Sequence, residues 1–164
     1  MKEDLRMKTL KLAALAMAVF LLAMAPELGA IGLDDLPGDQ TQTVYLPTHA
    51  AATATENYPI FSAPFDCTIQ SVIITPALAV TGVDTNYTNI NLINRGTAGT
   101  TTTELANYDL ELGNDLAIMD EYSLYAPATA LSVSDGNVLA IQFEKVGTGL
   151  LVPALIVQTT YRAR

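Results

Sequence analysis

Basic residues are scarce in this 164-residue chain once its first 25 positions are passed. From residue 26 onward there are four, Arg95, Lys145, Arg162 and Arg164, against fifteen acidic residues, a net of −11. Binding a phosphate backbone takes clustered Lys and Arg. No such cluster exists here, so nucleic acid is not an expected partner. The imbalance favours solubility, a basic partner or bound cations instead. Cysteine occurs once, as Cys67, so no disulfide can form within the chain. Histidine also occurs once, as His49, and one Cys with one His falls short of a zinc ligand set. Tryptophan is absent.

These shortages narrow the chemistry. A nucleophilic pair would need His49 beside Cys67 or a serine, and no nucleophile elbow or Gly-framed serine is present. Cys67 falls within an apolar alternating run, where a buried, inert thiol is the ordinary outcome. Two acidic pairs occur, Asp109/Glu111 and Asp120/Glu121. A glycosidase needs two carboxyls facing one sugar cleft, whereas Asp109 and Glu111 read as the wet side of a half-buried strand. Two oxygen-rich stretches could offer calcium ligands: Asp34, Asp35 and Asp39, and Asp84, Asn86, Asn89 and Asn91. Neither has EF-hand spacing, and acid-rich loops ordinarily just solvate a surface. Asn86-Tyr87-Thr88 is a glycosylation sequon that matters only in a secretory setting. Gly96-Thr97-Ala98-Gly99 is followed by no Lys and opens no helix, so it is not a phosphate loop. The expectation is a non-enzyme with no catalytic residue, cofactor or metal.

What is plentiful is hydrophobic sequence, half of all residues. Lys2, Arg6, Lys8 and Lys11 precede fourteen consecutive apolar residues, Leu12–Ala25. That run is short of the roughly 20 residues of a membrane span. A basic start, a short apolar run and Ala23-Met24-Ala25 match a secretory leader, although Pro26 would be a poor first mature residue. The competing readings are an anchoring or partner-buried helix and a misassigned start. Membrane contact is expected only through Leu12–Ala25. Residues 26–42, rich in Gly, Pro and acid, read as an extended arm.

From residue 43 the chain reads as one β domain ending at 164. Strands are expected over 43–47, 58–63, 67–75, 87–94, 103–112, 130–133, 138–144 and 155–161. His49–Asn57 is a loop or short helix. Pro59 places its strand at a sheet edge, because proline cannot donate to a ladder. In 67–75, Cys67, Ile69, Ser71 and Ile73 fall on one face, and Thr68, Gln70, Val72 and Ile74 on the other. Leu155, Val157, Thr159 and Tyr161 share a face of the last strand. Ser134-Asp135-Gly136-Asn137 is turn chemistry. In Leu116–Tyr125, Asp120 and Glu121 either open a helical turn or sit at a strand crossing. Eight to ten short strands with no intervening helices predict an antiparallel β-sandwich or jelly roll, preceded by an apolar N-terminal helix and an arm.

Three motifs carry a resemblance. They are the Asn/Thr strand ending in Asn94-Arg95-Gly96-Thr97, the turn Asp135-Gly136-Asn137 entering Val138-Leu139, and the loop Gly147-Thr148-Gly149-Leu150. With the segments around them, over residues 43–162, the chain resembles the small β-sandwich virion proteins of tailed bacteriophages, the decoration or cement class. The resemblance implies a structural, homo-oligomeric protein, such as a trimer, on the capsid exterior, with the major capsid protein or other virion subunits as partners. The arm and exposed loops then supply the contacts, and Leu33, Leu36, Tyr45 and Arg95 are the interface candidates. The alternatives are an exported surface or filament subunit that uses Leu12–Ala25 as a leader or packing helix, and a secreted carbohydrate- or calcium-dependent binding module.

Overall fold

The computed structural model describes residues 38–51, 54–128 and 130–164. The apolar segment Leu12–Ala25 and most of the arm lie outside them. The described residues form nine strands: β1 (Gln40–Leu46), β2 (Glu56–Ser62), β3 (Cys67–Pro76), β4 (Thr88–Asn94), β5 (Thr103–Asp109), β6 (Tyr122–Tyr125), β7 (Leu131–Val133), β8 (Val138–Lys145) and β9 (Leu155–Ala163). No helix occurs among the described residues.

The strands make two antiparallel sheets. One runs β1-β9-β3-β6, with β7 also on β3; the other runs β2-β8-β4-β5. The pairing is nested. β4 pairs with β5, β3 with β6 and β7, β2 with β8, and β1 with β9. The nine strands thus make one long hairpin folded over on itself, with its two limbs shared between the sheets. The sheets meet through a single apolar cluster. One sheet contributes Cys67, Ile69, Val72, Ile74, Leu155 and Val157, and the other Phe61, Ile90, Leu92, Leu139, Ile141 and Phe143. Phe61 of β2 packs against Tyr161 of β9 at a ring separation of 4.8 Å, bridging the layers. The arrangement is consistent with a β-sandwich.

Local sequence explains most of the strands. Leu155, Val157 and Thr159 point inward from β9, as the alternation predicts. β2, with Pro59, stands at a sheet edge. β1 starts at Gln40, three residues before the predicted strand, because Gln40 and Gln42 continue the ladder to Tyr161 and Thr159. β3 departs from simple alternation. Its buried residues are Cys67 and Ile69, then Val72, Ile74 and Pro76. The register with β9 shifts between Ile69 and Ser71, so Gln70 is an extra residue that exchanges the faces. Ser71 and Ile73 therefore do not share the inner face with Cys67. On the opposite edge of β3, β6 and β7 lie end to end and break apart across this bulge. β5 stops at Asp109, where the chain turns, so Leu112 is 71% exposed instead of half-buried.

Candidate functional site

The crossings between sheets define two ends. At one end lie four connections: β1–β2 (47–55), β3–β4 (77–87), β5–β6 (110–121) and β8–β9 (146–154). They are fastened to each other by backbone hydrogen bonds. His49 and Val152 exchange a pair, Ala77 N–H donates to Ala154, and Val146 N–H donates to Tyr87. The β3–β4 and β5–β6 connections are zipped together along their length. Met119 N–H reaches the Pro76 carbonyl at 3.0 Å, Val80 and Leu116 exchange bonds at 2.8 and 2.9 Å, and Val83 N–H reaches Leu110 at 3.1 Å. Gly82 makes the zipper possible. A Cβ there would run into the Glu111 carbonyl oxygen, and the Gly82 N–H bonds Asp115 Oδ1 at 2.8 Å. The other end holds the β2–β3, β4–β5 and β7–β8 turns and the C-terminus.

The exposed hydrophobic side chains are not shared between these ends. Leu78 (60%), Leu112 (71%), Ile118 (55%), Met119 (66%) and Leu151 (48%) all belong to the four-connection end. Tyr45 (76%) stands next to it, one residue before the end of β1. Among the described residues these are all the large hydrophobics that are strongly exposed. The zipper register places Leu78, between Pro76 and Val80, opposite Ile118. Met119 is also the only non-glycine described with a positive φ, at 58°. A left-handed backbone costs a bulky residue about 1–3 kcal/mol, so the fold holds this side chain outward against a local preference. The same connections carry Asp84, Glu111, Asp115, Asp120 and Glu121, all exposed. The four connections contain no Lys or Arg. Lys145, the last residue of β8, stands at their root and is already engaged.

His49 has a structural setting at this end. It is 1% exposed, stacks on Phe143 at 4.9 Å, and its Nδ1 meets Glu56 Oε2 at 3.0 Å. The Tyr58 hydroxyl donates to the same oxygen at 2.6 Å. That hydroxyl, and then His49, holds the Glu56 carboxyl below its ordinary range, and Glu56 in turn pushes the Tyr58 phenol up. Cys67 opens β3 opposite Ala163, at the far end of β9 from Val152 and His49. At about 3.3 Å per residue the length of β9 separates the two by roughly 26 Å, so no Cys–His pair forms. Cys67 is fully buried, and burial, with Asp66 second, pushes its thiol pKa up. Such a thiol is a poor nucleophile.

The sequence-derived interface candidates separate. Leu33 and Leu36 lie outside the described residues. Tyr45 is on the outer face of β1, beside the apolar end. Arg95 is at the opposite end, where its Nε and Nη2 donate to the Gly99 carbonyl at 3.0 and 2.7 Å. Its guanidinium closes the β4–β5 loop. The oxygen-rich stretch Asp84–Asn91 is also divided: Asn86 Oδ1 accepts from Thr148 N–H at 3.0 Å, while Asn91 donates across the sheet to Gln142 and Glu144. Leu78, Leu112, Ile118 and Met119 escape the sequence reading. For Leu112, Ile118 and Met119 the signal is apolar residues set among turn-forming Gly113, Asn114 and Asp115 and the acidic Asp120 and Glu121.

The described residues define an all-β protein of two antiparallel sheets. No protein-family model matches the chain, and no curated protein is similar to it in sequence. Among solved structures it is similar to a chain from the structure of infectious bursal disease virus Gx strain, at 12% identity and a TM-score of 0.31. The match covers 76% of this chain and 32% of that one, so the chain spans about a third of its neighbour's length. A score that low carries no argument.

Proposed function

We propose that this chain is a non-enzymatic structural protein of a phage particle, an oligomeric decoration or cement protein on the outside of the capsid. The observation that carries the reading is the one-ended surface: a nested two-sheet body with its exposed large hydrophobics at the end where four connections converge. The nested pairing is the topology of a jelly roll, a fold used by viral shell proteins and also by lectins and cupins. Fold alone therefore does not choose among them. A patch of large apolar side chains on a rigid scaffold suits burial against another protein, and acting by covering surface requires no bond-making centre. The major capsid protein is the partner this reading implies. Leu33 and Leu36 in the arm remain contact candidates beside Tyr45.

The test is addition of the purified chain to shells that lack it. The reading expects stoichiometric binding and a higher shell melting temperature. It fails if purified particles contain none of this chain, or if the chain leaves bare shells unoccupied.

A further inference from the structure

We infer that the four-connection end docks onto a positively charged protein surface, with Leu78, Ile118 and Met119 as the apolar anchor and the surrounding carboxylates as its electrostatic frame. The inference rests on the structural reading above in taking the shell as the partner, and it adds the contact end and the partner's chemistry.

Three observations lead to it. The zipped loops bring Leu78 opposite Ile118, with Met119 next in the chain, so the backbone register gathers the three exposed residues at one stretch of the zipper. The fold keeps Met119 in a left-handed conformation at 66% exposure, and nothing in the zipper requires a large side chain at that position. Finally, Asp120 and Glu121 follow Met119 directly, Asp84, Glu111 and Asp115 are further exposed carboxylates of the same two connections, and the four connections contain no Lys or Arg.

The charge decides between occupants. A second copy meeting end to end would bring five carboxylates against five. Nor do the described residues of a second copy supply a match; its Lys2, Arg6, Lys8 and Lys11 lie outside them, and self-association of the full chain tests that segment. Residues 38–164 hold four basic residues against twelve acidic ones. Of the four, Arg95 is folded onto Gly99, Arg162 is paired with Asp39 at 2.8 Å and Lys145 is engaged, which leaves Arg164 as one isolated positive charge after β9. A basic surface on a different protein satisfies both the apolar patch and its frame. Complementary rims set association rate and salt sensitivity, while a desolvated apolar centre sets how long the complex lasts.

The experiment uses the full chain and bare shells, with binding measured by cosedimentation at 50 to 500 mM NaCl. Met119→Gly separates anchoring from folding, because glycine accepts the positive φ without strain. The variant should melt at or above the temperature of the unaltered chain while binding at least about tenfold more weakly. Leu78→Ser with Ile118→Ser should lose binding similarly, with its fold checked by circular dichroism. Asp120→Asn with Glu121→Gln should bind more weakly at 50 mM NaCl and show a flatter salt dependence. Variants that bind as the unaltered chain does, or a salt-independent affinity, would overturn the inference and leave the capsid role standing. If the unaltered chain does not bind shells at all, the capsid role falls and takes the inference with it. Self-association of the free chain that Met119→Gly abolishes would make a second copy the occupant and refute the basic partner.

Discussion

At the scale of single residues, the group around Phe143 has the most to lose. Phe143 is fully buried and contacts both His49 and Tyr58, so it supports the polar set His49, Glu56 and Tyr58 from below. Phe143→Ala should cost about 3–5 kcal/mol in urea unfolding, the usual range for an aromatic removed from a core. Glu56 gives a second outcome. Its folded carboxyl lies below the ordinary value of 4.5, with the Tyr58 hydrogen bond as the first cause. A depressed acid stabilises the fold fully above the unfolded value and loses that contribution as pH falls through the folded one. Melting temperature should therefore decline as pH drops below about 4.5, and Glu56→Gln should flatten that decline. An unchanged acid slope would show that other carboxylates control it. Sequence shows Cys67 to be a core thiol, because its neighbours alternate around it. The role of Arg95 is not legible in that way. A lone arginine after a strand looks available for a partner, and only the fold of the Gly96–Gly99 loop shows which carbonyl receives it.

Among the elements, β3 shows why periodicity locates strands more reliably than their faces. Val72 and Ile74 look misplaced if alternation continues unbroken from Cys67, and one extra residue at Gln70 brings them inside. Deleting Gln70 should then regularise the ladder, joining Ile69↔Tyr161 directly to Ser71↔Thr160. The fold should survive with a small shift in the urea midpoint. Deleting Ile73 instead would turn Ile74 outward and abolish cooperative unfolding, because a one-residue slip exchanges every face beyond it. The connection between β8 and β9 depends on β4 through a single side chain. Thr88 Oγ1 donates to the Leu150 carbonyl at 2.7 Å and accepts from the Leu150 N–H at 2.9 Å, with Thr88 fully buried. Thr88→Val keeps the volume and strands both backbone groups, so it should cost about 1–3 kcal/mol. Such a loss should appear as a lower urea midpoint at unchanged slope.

For the whole molecule, the order of the strands decides how the protein can fold. β9 is the last strand in sequence and an interior strand of its sheet, paired to both β1 and β3. β1 has no other strand partner among the described residues, and Gln40 meets Tyr161 across almost the entire domain. Alternating sequence announces a strand at 40–46 and another at 155–161 without saying that they meet. Partner choice depends on how the whole hairpin closes, so the sheet class is legible in the sequence while strand order, and with it the gathering of four loops at one end, is not. A fold closed by pairings this distant must meet a large loop-closure cost before the last strand stabilises it. Refolding should therefore fall in the millisecond-to-second range typical of all-β domains, measurable by stopped-flow dilution from urea. A chain ending at Ala154 lacks Leu155, Val157 and the inner face of β9, and leaves β1 and one edge of β3 unpaired. It should show no cooperative unfolding transition and should expose enough apolar surface to aggregate. A truncated chain with a sharp transition near that of the full protein would mean that the β2-β8-β4-β5 sheet and its loops hold the core without the nested closure.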